Sequence, residues 1–274
     1  SNRFPSGPIR ATVGARDPSL PRALYRPCRT AADASGAIVR RYFRTTLEVE
    51  DKPDKSPVTV ADREAETAIR ELIEEAFPDH GIVGEEYGAV RADAKYVWVL
   101  DPIDGTKSFI TGKPLFGTLI GLLHEGAAVL GLIDQPVLGE RWLGARGRPT
   151  TLNGRPVHVR PCGELGRAAL YATSPHMFEG ADKQAFARVR DAVKLPLYGA
   201  DCYAYGLLAC GFADLVVEAS LAAYDYCGVV AVIEGAGGVI TDWTGAPLGL
   251  GSDGRVVAAG DRRSHERALE LLAG

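Results

Sequence analysis

The chain has 274 residues, 46% hydrophobic and 24% charged, with a net charge of −4. That balance fits a globular protein able to bury a sizeable core, and it excludes a nucleic-acid partner held by a basic surface. The longest apolar run, Leu115 to Leu123, is too short to cross a bilayer, so no membrane partner is expected.

Five scattered cysteines without a C-x-x-C pair argue for reduced thiols in a cytosol-like compartment, against a disulfide framework and against structural zinc. Residues 1–30 carry six arginines (Arg3, Arg10, Arg16, Arg22, Arg26 and Arg29) against one acid, Asp17. This suits an organelle transit leader, with a plastid as destination, or equally an extended tail. From Ala31 to Arg44 the spacing predicts a helix with Ala34, Ile38, Val39 and Phe43 on one side. Pro27, just before it, is expected to shorten its start. Lys52 to Pro57 reads as a loop. A second helix runs from Asp62 until Pro78 stops it, with Ala65, Ile69, Leu72, Ile73 and Ala76 inward. In isolation Thr59 and Asp62 read as capping residues of that helix.

Gly81 to Glu86 leads into two adjacent glutamates, Glu85 and Glu86, of which at most one faces a shared metal from extended backbone. Tyr96 to Leu100 is a buried strand that ends in an acidic turn, Asp101-Pro102-Ile103-Asp104-Gly105-Thr106. Two carboxylates so placed repel each other, and hard divalent cations such as magnesium remove the conflict. If the amides from Gly105 onward open a helix, they form an anion site suited to phosphate. Metal and phosphate together point to phosphoryl chemistry.

Strands over Phe116 to Leu123, Ala127 to Asp134 and Arg141 to Ala145 predict an antiparallel meander, followed by a loop at Gly147 to Gly154 and the segment Pro156 to Val159. Next come a strand at Ala168 to Thr173, a helix from Asp182 to Val193, a short strand at Pro196 to Tyr198, and a helix opened by Asp201. Leu215 to Val217 is a buried strand with Glu218 at its end. Asp225 starts an apolar helix to Ile233, broken by Gly235-Ala236-Gly237-Gly238. A strand at Val256 to Ala259 and a helix from Ser264 to Leu272 close the chain. The expected organisation is an α+β half over 31–150 carrying the metal site and an α/β half over 151–274 carrying substrate contacts.

Four segments carry a resemblance: Ser56-Pro57-Val58-Thr59-Val60-Ala61-Asp62, Gly84-Glu85-Glu86-Tyr87-Gly88, the Asp101 to Thr106 turn, and Ala223-Tyr224-Asp225-Tyr226. In this order they resemble the inositol monophosphatase family of lithium-sensitive, magnesium-dependent phosphatases, from about Ala31 to the C-terminus. The resemblance implies a layered αβαβα sandwich and a phosphoric monoester hydrolase that is a homodimer. It implies two or three Mg2+ ions, with Li+ inhibitory. Glu85, Asp101 and the Ile103 carbonyl would hold the first ion, and Asp101, Asp104 and Asp225 the second. Thr106, with Asp62 and Thr59, would activate water, and the amides of Gly105 and Thr106 would hold phosphate. Asp104, Asp201, Glu218 and Asp225 would meet the substrate.

Ser174 to Phe178, Gly199 to Tyr205 and Tyr224 to Tyr226 look like the histidinol-phosphatase branch, whose substrate carries an amine and an imidazole that carboxylates favour. Inositol 1-phosphate, and more broadly sugar or nucleotide phosphates, are the alternatives. Tyr224, Cys227-Gly228 and Lys107-Ser108 depart from the commoner family residues. A haloacid-dehalogenase reading fails on spacing, since that chemistry uses Asp-x-Asp-x-Thr near the N-terminus. A binding module without catalysis fits the intact acidic set poorly. His124, His158, His176 and His265 are expected at the surface or in turns, and His80 is set aside as a poor magnesium ligand.

Overall fold

The computed structural model describes residues 22–46, 48–51 and 57–274. The leader expected before Arg22, and Ser56, lie outside the described residues. Helix α1 (Arg22–Tyr42) precedes a small hairpin, β1 (Val49–Asp51) and β2 (Pro57–Thr59), and helix α2 (Val60–Ala76). A sheet then forms from β3 (Gly81–Gly84), β4 (Gly88–Val90), β5 (Tyr96–Asp104), β6 (Gly117–His124), β7 (Ala127–Gln135), β8 (Glu140–Ala145), β9 (Arg148–Leu152) and β10 (Arg155–Pro156), with the short helix α3 (Thr106–Ile110) between β5 and β6. Its eight strands run in the order β10-β9-β8-β7-β6-β5-β3-β4, antiparallel except for the β3–β5 pair.

The remainder comprises β11 (Ala169–Ala172), α4 (Gly180–Ala192), β12 (Leu195–Tyr198), α5 (Tyr203–Ala209), β13 (Leu215–Glu218), α6 (Ala223–Gly235), β14 (Val239–Thr241), β15 (Val256–Ala259) and α7 (Arg262–Ala273). These strands form a five-stranded sheet in the order β12-β11-β13-β15-β14, with β11 parallel to both its neighbours.

The layers follow from side-chain alternation along the strands. Trp98 and Leu100 of β5 pack with Ile69 and Ile73 of α2 and Ala31 of α1, whereas Val97 and Val99 face the opposite core with α5 and α6. In β13, Val216 joins that middle core, and Leu215 and Val217 face outward to Phe186 of α4 and Ala268 and Leu272 of α7. Helices α1 and α2, the large sheet, helices α5 and α6, the small sheet, and helices α4 and α7 therefore stack as an αβαβα sandwich.

Several expectations need correction. The first helix begins at Arg22, not Ala31, so the stretch expected as leader up to residue 30 is partly helical, and Leu24 and Cys28 are buried. Pro27 does not shorten it: inside the second turn it removes an intrahelical N–H and crowds the preceding turn, and the burial of Leu24 and Cys28 holds the helix together across it. The stretch expected as a loop at 147–154 is mostly strand β9. It turns into β10 through Asn153 and Gly154, both at positive φ, the pairing a tight hairpin turn favours. His265 is buried, bonded to Thr241 at 2.9 Å. His80 serves the core: its Nδ1 accepts from Trp98 Nε1 at 3.0 Å between stacked Phe77 and Tyr96.

Helix α6 seats unusually close to the large sheet. A Cβ on Gly144 of β8 would lie 2.6 Å from the Ala231 carbonyl carbon, and one on Gly121 of β6 only 2.9 Å from that of Cys227. Gly228 of α6 faces Leu119 and Ile120. A glycine in a helix costs about 1 kcal/mol relative to alanine; here it lets two backbones approach. This contact carries Asp225, at the N-terminal end of α6, toward the end of β5.

Candidate active site

Strand β5 does not end before the acidic pair; it runs through to Asp104. Residues i and i+3 of a regular strand point to opposite faces. Between Asp101 and Asp104, however, the register slips. Asp101 pairs with Leu119 and Asp104 with Gly117, so three steps on β5 match two on β6. This bulge returns both carboxylates to one side. Asp225 joins them from α6, and one ligand atom from each of the three lies within 4.8 Å of the others. Glu85 lies beside Asp101 and lines the same cleft as Asp104 and Asp225, a space of about 240 Å³.

The electrostatics show what this convergence costs. Burial, reinforced by Glu85, Asp104 and Asp225, holds the Asp101 carboxyl far above the usual carboxylate range. Burial does the same to Asp104, with Asp201 and Asp225 adding to it. Burial pushes Asp225 up to about 7, although the Ala222 N–H, 2.6 Å from Oδ2, opposes the shift. Like charges so close favour protonation or a cation among them. The all-oxygen donor set suits a hard divalent ion, so the residues fit magnesium.

Beside the carboxylates, Gly105 adopts the left-handed conformation (φ 86°) that lets the chain turn from β5 into α3. The Thr106 hydroxyl lies 3.1 Å from the Ile103 carbonyl and 3.5 Å from Asp62 Oδ1. Asp62 is 1% exposed, and its Oδ2 accepts from the Thr59 amide at 2.8 Å and the Thr59 hydroxyl at 2.6 Å. Thr59 in turn caps α2 through the Ala61 amide. Capping and placement beside Thr106 are thus one arrangement, not rival readings. Burial raises the Asp62 carboxyl, with the Thr59 bonds opposing.

On the far wall, Asp201 does not cap α5. That helix starts at Tyr203, and it is Asp104 that takes the Cys202 amide, at 2.6 Å. Asp201 Oδ2 instead accepts from the Ser108 hydroxyl at 2.5 Å, and no described residue donates a hydrogen bond to Oδ1. Glu218 lines the cleft but is 3% exposed and held in place. One oxygen accepts from the Thr173 amide and hydroxyl at 2.9 and 2.5 Å, and the other from Tyr205 at 2.8 Å.

Thr173, Tyr205 and Ser108 were not foreseen in these roles, because their partners are 45, 13 and 93 residues away in the chain. Nor was Glu66, fully buried on α2. It accepts from the Glu86 amide at 2.7 Å and the Tyr87 amide at 3.2 Å, with Arg70 Nε at 2.7 Å. It thereby shapes the turn that presents Glu85. Its i,i+4 spacing from both Asp62 and Arg70 was the readable signal. Removing one member of a buried ion pair costs about 3–5 kcal/mol. Glu66→Ala should therefore lower unfolding stability by about 3 kcal/mol in urea titrations and weaken magnesium-dependent activity.

The sequence model of the Inositol monophosphatase family matches residues 22–273. The chain belongs to that family. Among relatives, it is 56% identical over 250 residues to the bifunctional phosphatase IMPL2, chloroplastic, of Arabidopsis thaliana, covering 88% of this chain and 72% of that one. It is 36% identical over 229 residues to the histidinol-phosphatase of Chlorobaculum parvum, covering 83% and 88%. A solved inositol monophosphatase from Zymomonas mobilis superposes with a TM-score of 0.86 at 45% identity, covering 93% of this chain and all of that one. The layered fold is thus that of inositol monophosphatase-family phosphatases.

Proposed function

We propose that this family phosphatase hydrolyses a phosphate monoester whose alcohol carries a cation, with L-histidinol phosphate as the substrate and Mg2+ as cofactor. Glu85, Asp101, Asp104, Asp225 and the Ile103 carbonyl would hold magnesium. When bound, the ion supplies positive charge for the phosphate oxygens and makes water more acidic. Thr106 then accepts a hydrogen bond from the attacking water and passes its own proton toward Asp62, which Thr59 keeps oriented. The amides of Gly105 and Thr106 orient the phosphate. Buried Glu218, fixed by Thr173 and Tyr205, forms a rigid floor beneath the alcohol.

The observation that carries the substrate assignment is Asp201, whose Oδ1 takes no hydrogen bond from a described residue while lining the cleft; burial raises its carboxyl, and Lys113 and Lys107 stand near enough to oppose that shift without bonding to it. A charge-assisted hydrogen bond to an amine or imidazolium gains more there than a neutral hydroxyl does. Steady-state phosphate release with histidinol phosphate and inositol 1-phosphate tests it. Asp201→Asn should lower kcat/KM for the cationic ester by about tenfold or more, the effect of roughly 1.4 kcal/mol, and leave the neutral ester within about twofold. Equal losses on both esters would defeat the assignment. The second reading is inositol 1-phosphate hydrolysis, supported by likeness to the Zymomonas mobilis enzyme.

Homodimerisation belongs to the same proposal and is checked by light scattering. Nucleic-acid and membrane partners are not part of it; among the described residues no helix is long and apolar enough to cross a membrane. All five cysteines are free thiols, in keeping with a reducing compartment. The cytoplasm is the first reading, and a plastid is the alternative that the chloroplastic relative supports.

A further inference from the structure

The parallel strands of the small sheet have two ends. Thr173, Tyr198 and Glu218 stand at the end facing the catalytic cleft. At the opposite end, residues just before β11, β12 and β13, together with the start of α7, line a second, solvent-open depression of about 560 Å³, more than twice the volume of the cleft. Arg160, Arg167, Lys194 and Arg263 line it, against only two carboxylates, Asp214 and Glu164. With Asp261, which pairs with Arg263, counted in, four cations face three carboxylates, a local surplus of one positive charge on a chain of net charge −4.

Two of the cations are held by carboxylates, Arg160 at 46% and Arg263 at 71% side-chain exposure. Asp214, 1% exposed, grips Arg160 with two bonds of 2.6 Å and also accepts the Ala169 amide at 2.8 Å, tying the guanidinium to β11 and β13. Asp261 grips Arg263 at 3.1 and 2.7 Å. Gly163 lies flat against that guanidinium, for a Cβ there would come within 2.6 Å of Arg263 Nε. Each arginine spends two of its five N–H donors on its carboxylate and keeps the rest. Arg167 and Lys194 are exposed and have no ion-pair partner among the described residues. A pair of carboxylate-held guanidinium forks flanked by two exposed cations is an arrangement that complements a compact, multiply charged anion.

We propose that this depression is a second ligand site, separate from the cleft, for a small anion carrying phosphate groups. Phosphate suits it through its several acceptor oxygens and double charge. Arg160 and Arg263 supply directional bonds, and Arg167 and Lys194 close over the remaining charge.

Isothermal titration of the full chain with tripolyphosphate, in low salt with EDTA, probes this site without the magnesium that would draw phosphate into the cleft, and the Asp104→Asn variant separates the two sites. Saturable binding at one equivalent is expected. Arg167→Ala/Lys194→Ala, two exposed positions that leave the fold and the magnesium-dependent kcat/KM unchanged, should weaken it at least about tenfold, one such charge-assisted contact accounting for that much. Asp104→Asn should leave the affinity unaltered. Three results would overturn the proposal: no saturable binding, unchanged affinity in the double variant, or affinity altered by Asp104→Asn, which would place the anion in the cleft.

Discussion

Replacing Asp225 with Asn is expected to reduce magnesium-dependent phosphate release by at least about a thousandfold, a loss of roughly 4 kcal/mol of barrier lowering. The fold should survive. The amide oxygen of Asn can still accept the Ala222 N–H, which keeps the first turn of α6 closed. Stability provides a second readout with its own sign. The folded-state Asp225 carboxyl titrates at about 7 instead of 3.8. A raised acid contributes stability below its unfolded value, and that contribution is lost as pH rises through the folded one. Metal-free protein should therefore become less stable between about pH 4 and pH 7, and magnesium at neutral pH should restore it. Asp225→Asn should remove part of that pH dependence, the raised Asp101 and Asp104 keeping theirs, and blunt the magnesium-induced rise in Tm. A variant with near-normal turnover, or an unaltered response to magnesium, would remove Asp225 from the metal set.

The second large effect lies away from the cleft. Gly144→Ala should destabilise the protein by about 3 kcal/mol, at the upper end of the cost of overpacking, because its Cβ would press into the backbone of α6 at Ala231 and Val232. The cost should appear in activity as well. If α6 shifts outward, Asp225 retreats from Asp101 and Asp104, whose ligand atoms now lie within 4.8 Å of its own. The magnesium concentration needed for half-maximal rate should rise more than KM for the ester. Gly166→Ala, where an added Cβ meets nothing within 4 Å, is the control and should change stability by less than about 0.5 kcal/mol. Should Gly144→Ala match that control, the close approach of α6 would not be what positions Asp225.

Local pattern alone determined much of this protein. The apolar, β-favouring run Tyr96 to Leu100, the inward Ala65, Ile69 and Ile73 of α2 and the apolar α6 made the elements legible, although Ala76, expected inward, is exposed. The family resemblance that four segments carry pointed to Asp101, Asp104 and Asp225, which the structure brings together. Local pattern could not reveal the bulge in β5. Whether Asp101 and Asp104 share a face depends on one extra residue opposite β6, a matter of register between strands. It misread the start of α1, since Leu24 and Cys28 earn their helical state by burial against the large sheet and not from composition. The hairpin β9–β10 was passed over although Asn153-Gly154 marked it. Asp201 looked like a cap until Asp104, 98 residues away, was seen to take the Cys202 amide. Glu66 and Tyr205 have functions that exist only through partners distant in the chain. Sequence thus fixes which groups are present and which faces they share within one element. Tertiary packing decides which of them meet, because contacts between elements are set by register, close backbone approach and burial.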